Sequence, residues 1–193
     1  ASVGPRSALN TRMIVFNICV GFWGLGTMWA GLAKTPMQGV WAWRFAFMGG
    51  MFIAPSFYHL SLTLRGLVKR RALQAVYVLA LCFVISYFGP GINRTQWLFG
   101  SLHYNKATAV FPISFMVWLV LVWLGHRHLF HVYRHVGGEK RRQLRLVFYA
   151  FVTGFAGGTT TLLPMFGIPL YPYGNFTIPI YVLLISYAIL RYQ

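Results

Sequence analysis

Acidic residues are almost absent from this chain, which has 17 Lys and Arg residues but only one acidic residue, Glu139. Carboxylate proton relays and acidic cation sites need Asp or Glu inside a membrane span, so neither mechanism has a residue to use here. No Lys lies within a long apolar run, which excludes the Schiff base of a retinal protein. Cys19 and Cys82 lie in separate apolar runs without metal-ligand spacing, and we interpret them as packing residues. The sequence therefore predicts no catalytic residue, no cofactor site and no metal site.

Apolar residues dominate instead, since 58% of the chain is hydrophobic, 18% is aromatic and only 9% is charged. This composition is typical of membrane proteins. The runs do not alternate as barrel strands do, so each is predicted to be an α-helix. We expect one all-α, polytopic transmembrane domain over residues 1–193. Its six predicted spans are approximately 13–32, 45–64, 72–88, 107–124, 144–163 and 176–190.

The basic residues fall between these runs with a strong bias to one side. Alternating the connections places 13 basic residues on one face: Arg6, Arg12, Arg65, Lys69, Arg70, Arg71, Arg127, Arg134, Lys140, Arg141, Arg142, Arg145 and Arg191. The other face receives only Lys34, Arg44, Arg94 and Lys106. By the positive-inside rule the first face and both termini are cytoplasmic. The expected partners are therefore anionic lipids of the bilayer and other membrane helices, in a homodimer or a larger complex, and not nucleic acid.

Histidines at two places raise the question of ligand or metal binding. His59 lies within the second span, where a hydrogen-bonded or snorkelling imidazole competes with a ligand contact or a haem ligand. His128, His131 and His135 follow the fourth span at i, i+3 and i+7, a spacing that aligns them on one helical face. We expect this segment to be an amphipathic helix on the phospholipid surface, because Arg127 and Arg134 are interleaved with the histidines. A three-histidine metal site is the alternative.

Two connections are predicted on the outer side. Residues 93–106 combine Trp97, His103 and Tyr104 with polar groups, which is typical of an interfacial aromatic belt or of a cap over a binding surface. Residues 167–175 contain Pro, Tyr, Gly and Asn without any charge, which indicates a rigid, aromatic lid.

Several landmarks together resemble the seven-helix sensor region that precedes the PAS and kinase modules of bacterial membrane histidine kinases. They are the lead PRSALN, the motif FWGLG in the first helix, FIAPSFYHL in the second, the basic entry KRRQLRLVFYAFVTG to the fifth, and the closing GIPLYPYGNFTIPIYVLLISYAILRY. The resemblance implies a location in the bacterial inner membrane. It also implies that a further helix precedes Ala1 and that output domains, including any kinase domain, follow Gln193.

What the resemblance implies about function is signal reception. An input at the outer face would bias the packing of the helices, and the last helix would relay the change to a cytoplasmic effector. On this hypothesis Trp97, His103, Tyr171 and Asn175 line the input surface, and Tyr187 and Arg191 form the exit. The alternative is a non-catalytic accessory or scaffold subunit of a larger respiratory or photosynthetic membrane complex, because glycine and aromatic residues also suit lateral helix packing.

Overall fold

The computed structural model describes residues 5–191, and most of them are helical. The six helices described are α1 Pro5–Leu32, α2 Pro36–Leu64, α3 Arg70–Ser86, α4 Val110–His135, α5 Gly138–Thr160 and α6 Thr177–Arg191. A π-helical turn, Tyr87–Gly91, follows α3, and short 3-10 helices occupy Leu163–Phe166 and Tyr173–Phe176. Each of the six predicted runs lies largely on one of the six helices.

Five helical segments of the described chain are long and apolar enough to cross a membrane, as the hydropathy pattern predicts. These are α1, α2, α3 with its π-helical turn, α4 and α5, the last extended to Phe166. Helix α6 has 15 residues and a length of about 22 Å, compared with about 30 Å for the hydrocarbon core of a bilayer. The sixth span therefore stays a prediction. The termini predicted to be cytoplasmic, Ala1 and Gln193, lie outside the described residues.

The prediction of an all-α chain is correct for most residues but misses one element. Strands β1, Thr95–Leu98, and β2, Leu102–Asn105, form an antiparallel hairpin in the connection between α3 and α4. The expected connection over residues 93–106 is therefore a folded element with a fixed register, and this register orients its side chains.

The chain divides into two compact units, Ala1–Gly125 and His126–Gln193. In the first unit, α2 forms the core, since 72% of its most apolar window is buried, compared with 22% for α1 and 11% for α3. Helices α1 and α2 approach closely at two glycines. A Cβ atom on Gly26 would lie 2.5 Å from the Cα of Ala46, and one on Gly49 would lie 2.5 Å from the carbonyl oxygen of Cys19. Small residues allow such backbone contact between apolar helices.

Aromatic side chains fill the core of the first unit around Phe47. The Phe47 ring centroid lies 5.3 Å from Trp23, 4.7 Å from Tyr87 and 5.9 Å from Phe111. Tyr87 is fully buried, and its hydroxyl is hydrogen-bonded to Ser114 of α4. The aromatic cluster thus joins α1, α2, the π-helical turn after α3, and the first turns of α4.

In the second unit, α5 and α6 pack as a pair. A Cβ atom on Gly157 would collide with Thr177, and one on Gly174 would collide with Gly157, so the turn before α6 lies directly on α5. Farther along the pair, the Tyr181 ring packs on Phe151 at 5.5 Å. At the other end of α6, Gln143 Nε2 donates a hydrogen bond to the Ala188 carbonyl oxygen at 3.2 Å. The two helices are therefore connected at both ends.

The fourth helix continues through the histidine-containing segment, as the sequence predicts. Helix α4 continues without interruption to His135, and its 26 residues correspond to about 39 Å. The chain then turns at Gly137 and at Gly138, whose φ is 58°, and α5 begins immediately. The predicted break at these two glycines is confirmed. His128, His131 and His135 belong to the last turns of a long helix that is apolar enough to cross a membrane.

The contact between α1 and α2 can be tested with two neighbouring glycines. Gly26→Ala places a methyl group against the Ala46 backbone and should destabilise the protein by about 1–3 kcal/mol, as overpacking does. Gly24→Ala is the matched control, because a Cβ atom there meets nothing within 4 Å. Thermal unfolding in detergent should show a lower Tm for Gly26→Ala alone. Equal Tm values for the two variants would contradict this packing.

Candidate functional site

The hairpin is the clearest candidate site in the first unit. The Leu98 carbonyl oxygen accepts a hydrogen bond from Ser101 N–H at 3.2 Å, and the two residues between them, Phe99 and Gly100, both have positive φ. Short apolar and polar segments separated by a glycine-containing turn are a hairpin signal, so TQWL-FGS-LHYN could have identified this element in the sequence.

The register brings two of the predicted input residues together. Trp97 is the cross-strand partner of His103. Because Lys106 N–H donates to the Arg94 carbonyl, hydrogen-bonded pairs fall at every second position, and the Trp97–His103 pair is of the non-hydrogen-bonded kind, in which side chains lie closer. Their ring centroids are 4.6 Å apart. Trp97 is 56% exposed while His103 is 9% exposed, so the pair presents an indole over a buried imidazole.

Helix α2 packs against the hairpin. Trp43 Nε1–H donates a hydrogen bond to the His103 carbonyl oxygen at 2.9 Å, which is possible because this carbonyl points out of the ladder. The Trp43 ring also packs on Tyr104 at 4.9 Å, and Gly39 leaves space for the His103 side chain. Burial raises the pKa of Tyr104 well above the usual value for a phenol, so this side chain stays neutral.

Arg44 secures the chain where it enters the hairpin. Its Nε and Nη2 atoms donate to the Ile92 carbonyl oxygen at 3.1 and 2.9 Å, and its guanidinium lies 4.9 Å from the ring centroid of Trp41. From the sequence alone Arg44 is only one of the four outer charges, and neither its role nor that of Trp43 is predictable. Both residues contact a segment about 50 residues away in the sequence, and no local pattern in α2 predicts such contacts.

The other two predicted input residues, Tyr171 and Asn175, belong to the second unit. The Tyr171 ring packs on Tyr173 at 4.8 Å, and both side chains are exposed. Within residues 5–191, Asn175 Oδ1 is buried without a hydrogen-bond partner, although Asn175 as a residue is only half-buried. Of the four predicted residues, Trp97 and His103 thus lie on the hairpin of the first unit, and Tyr171 and Asn175 lie in the turn before α6 of the second unit.

The predicted exit residues lie at the end of α6. Tyr187 is 53% exposed and Arg191 is exposed, while the intervening Ala188 is fully buried. Gln143 from α5 bonds to the carbonyl of Ala188, so the exit end of α6 is attached to the first turns of α5. Nothing in the sequence around Gln143 indicates this contact.

The histidines do not form a metal centre in the described part of the chain, where no group of three or more His, Cys, Asp or Glu side chains could hold a metal ion. His128 is buried, whereas His131 and His135 are exposed with ring centroids 4.2 Å apart. The predicted three-histidine face is therefore reduced to an exposed pair. His59 Nδ1 lies 3.2 Å from the Tyr77 hydroxyl, so the hydrogen-bonded interpretation of this residue is confirmed.

Comparison with known proteins identifies no relative: no protein-family model, curated protein or solved structure matches this chain. The geometry alone therefore describes the candidate sites. The exposed Trp97 indole and the exposed Tyr171 and Tyr173 rings are groups that can stack on a ligand or partner.

Trp43→Phe tests the attachment of the hairpin. The substitution keeps an aromatic ring but leaves the His103 carbonyl without the indole donor, and an unsatisfied buried group costs about 1–3 kcal/mol. Amide hydrogen exchange in residues 95–105 should therefore accelerate. Trp29→Phe is the control, since Trp29 is exposed and packs on Phe45 of α2. Unchanged exchange in Trp43→Phe would show that the hairpin does not depend on this bond.

Proposed function

We propose that this chain is a membrane-embedded sensory domain, in which a stimulus on the outer side changes helix packing and the last helix passes the change to a cytoplasmic effector. The observation that carries the proposal is the double attachment of α6. The turn that precedes α6 lies on α5 at Gly157, and the other end of α6 is bonded to α5 through Gln143.

A relay along α6 needs a rigid element with a receptive end and an output end. The receptive end is the turn with Tyr171, Tyr173 and Asn175, which has two exposed, packed rings and a buried amide oxygen without a hydrogen-bond partner. The output end carries Tyr187 and Arg191. A ligand that binds one arrangement of the turn more tightly shifts the population of α6 positions by its differential affinity.

The hairpin is the receptive element of the first unit in this proposal. Trp97 offers a large exposed ring, and the bond from Trp43 to the His103 carbonyl links the strand beneath it to the buried helix α2. Trp43 also packs on Phe47 in the core of the unit. Displacement of the hairpin would therefore disturb the aromatic cluster around Phe47. The effector is a histidine kinase, as the resemblance of the sequence implies.

Gln143→Leu tests the relay. The hydrogen bond to Ala188 is worth about 1 kcal/mol, so its loss should shift a two-state equilibrium of α6 about fivefold. Autophosphorylation of the full-length gene product in membrane vesicles should change by a similar factor. Gln74→Leu, at an exposed position of α3, is the matched control and should leave phosphorylation unchanged.

Two outcomes would contradict the proposal. Absence of phosphotransfer by the full-length product would exclude a kinase sensor, and stoichiometric co-purification with a larger membrane complex would then favour a scaffold subunit. Equal phosphorylation in Gln143→Leu and wild type would exclude the end of α6 as the relay.

A further inference from the structure

The last turns of α4 carry an exposed stripe of basic side chains, which we call the Arg/His stripe. Its members are Arg127, His131, Arg134 and His135, all exposed. At 100° per residue these positions fall within about 100° of the helix circumference, so they share one face. With Lys140, Arg141, Arg142 and Arg145 of α5, this end of the second unit has six permanent cations and one carboxylate, Glu139.

The position of the stripe along α4 determines which part of a bilayer it contacts. Helix α4 is about 39 Å long, whereas the hydrocarbon core of a bilayer is about 30 Å thick. The surplus of about 9 Å lies at the level of the phosphate groups if the apolar part of the helix spans the core. His131, Arg134 and His135 are in this surplus.

Two guanidinium groups at this end of the unit are already placed on aromatic rings. Arg134 lies 5.8 Å from the ring centroid of Phe130, and Arg141 of α5 lies 5.2 Å from that of Tyr133. A ring contact restricts the guanidinium while leaving its N–H groups available to an anion. Less conformational freedom is then lost when a phosphate is bound.

The histidine pair can add a hydrogen-bond donor to the stripe. His135 Nδ1 lies 2.7 Å from the His131 carbonyl oxygen, and since a carbonyl only accepts, Nδ1 carries the hydrogen. In the neutral imidazole Nε2 therefore has a lone pair, which repels a phosphate oxygen. Once protonated, Nε2 donates a hydrogen bond to it. Along the chain, Arg134 of α4 precedes His135, and Glu139, Lys140 and Arg141 follow it in the first turn of α5.

We propose that the Arg/His stripe binds the phosphate of an anionic phospholipid headgroup. A transition metal ion would bind to the Nε2 lone pair of His135. The positive charge of Arg134 and of the other cations at this end of the unit would repel such an ion. This inference does not depend on the sensory function proposed above.

Native mass spectrometry of the intact chain, titrated with phosphatidylglycerol in detergent, tests the proposal. Arg134→Gln should weaken phosphatidylglycerol binding roughly tenfold, because a hydrogen bond between charged groups is lost. Arg71→Gln is the control: it removes one exposed charge at the start of α3 and should weaken binding less than about twofold. Equal loss in the two variants would overturn the proposal in favour of unspecific attraction by the net charge.

The part played by His135 has its own test. His135→Gln should weaken phosphatidylglycerol binding relative to wild type, because the Nε2 donor to the phosphate oxygen is lost. Zinc binding at neutral pH that is lost in His135→Gln and prevents lipid binding would overturn the proposal and assign the pair to a metal. Displacement of the lipid by an equal concentration of inorganic phosphate would overturn the choice of a lipid headgroup.

Discussion

The close approach of α1 and α2 is the constraint on which the first unit depends. Because Gly26 and Gly49 have no side chains, the two backbones touch, and α2 becomes the buried helix of its unit. Its burial puts Trp43 and Arg44 within reach of the hairpin and of the segment before it. The candidate binding surface at Trp97 therefore rests on a contact between glycine and backbone in the apolar core.

In the second unit, glycines again allow a close backbone contact. Gly157 and Gly174 let the turn before α6 lie directly on α5, and Gln143 holds the far end of α6 by one hydrogen bond. Close backbone packing therefore fixes the start of α6, whereas a single hydrogen bond fixes its end. In apolar surroundings such a bond contributes only about 1 kcal/mol, so it can be broken and remade by a modest stimulus. The relay proposed for α6 depends on this asymmetry.

Hydropathy predicted the helices well because each apolar run has only one way to satisfy its backbone in lipid. The turn at Gly137 and Gly138 and the hydrogen-bonded state of His59 were also predictable from residue type. The hairpin was missed because its four-residue strands are short beside the surrounding apolar runs. The roles of Trp43, Arg44 and Gln143 could not be predicted, since each depends on a partner about 45–60 residues away.

The central prediction is the topology that the charge pattern of the sequence gives, in which position 97 lies on the outer side of the membrane and position 141 lies in the cytoplasm. Single cysteines at positions 97 and 141, introduced into a chain with Cys19→Ser and Cys82→Ser, test it directly in intact cells. A membrane-impermeant thiol reagent should label position 97 and leave position 141 unlabelled until the cells are opened. Labelling of position 141 from outside, or of both positions from the same side, would contradict the account.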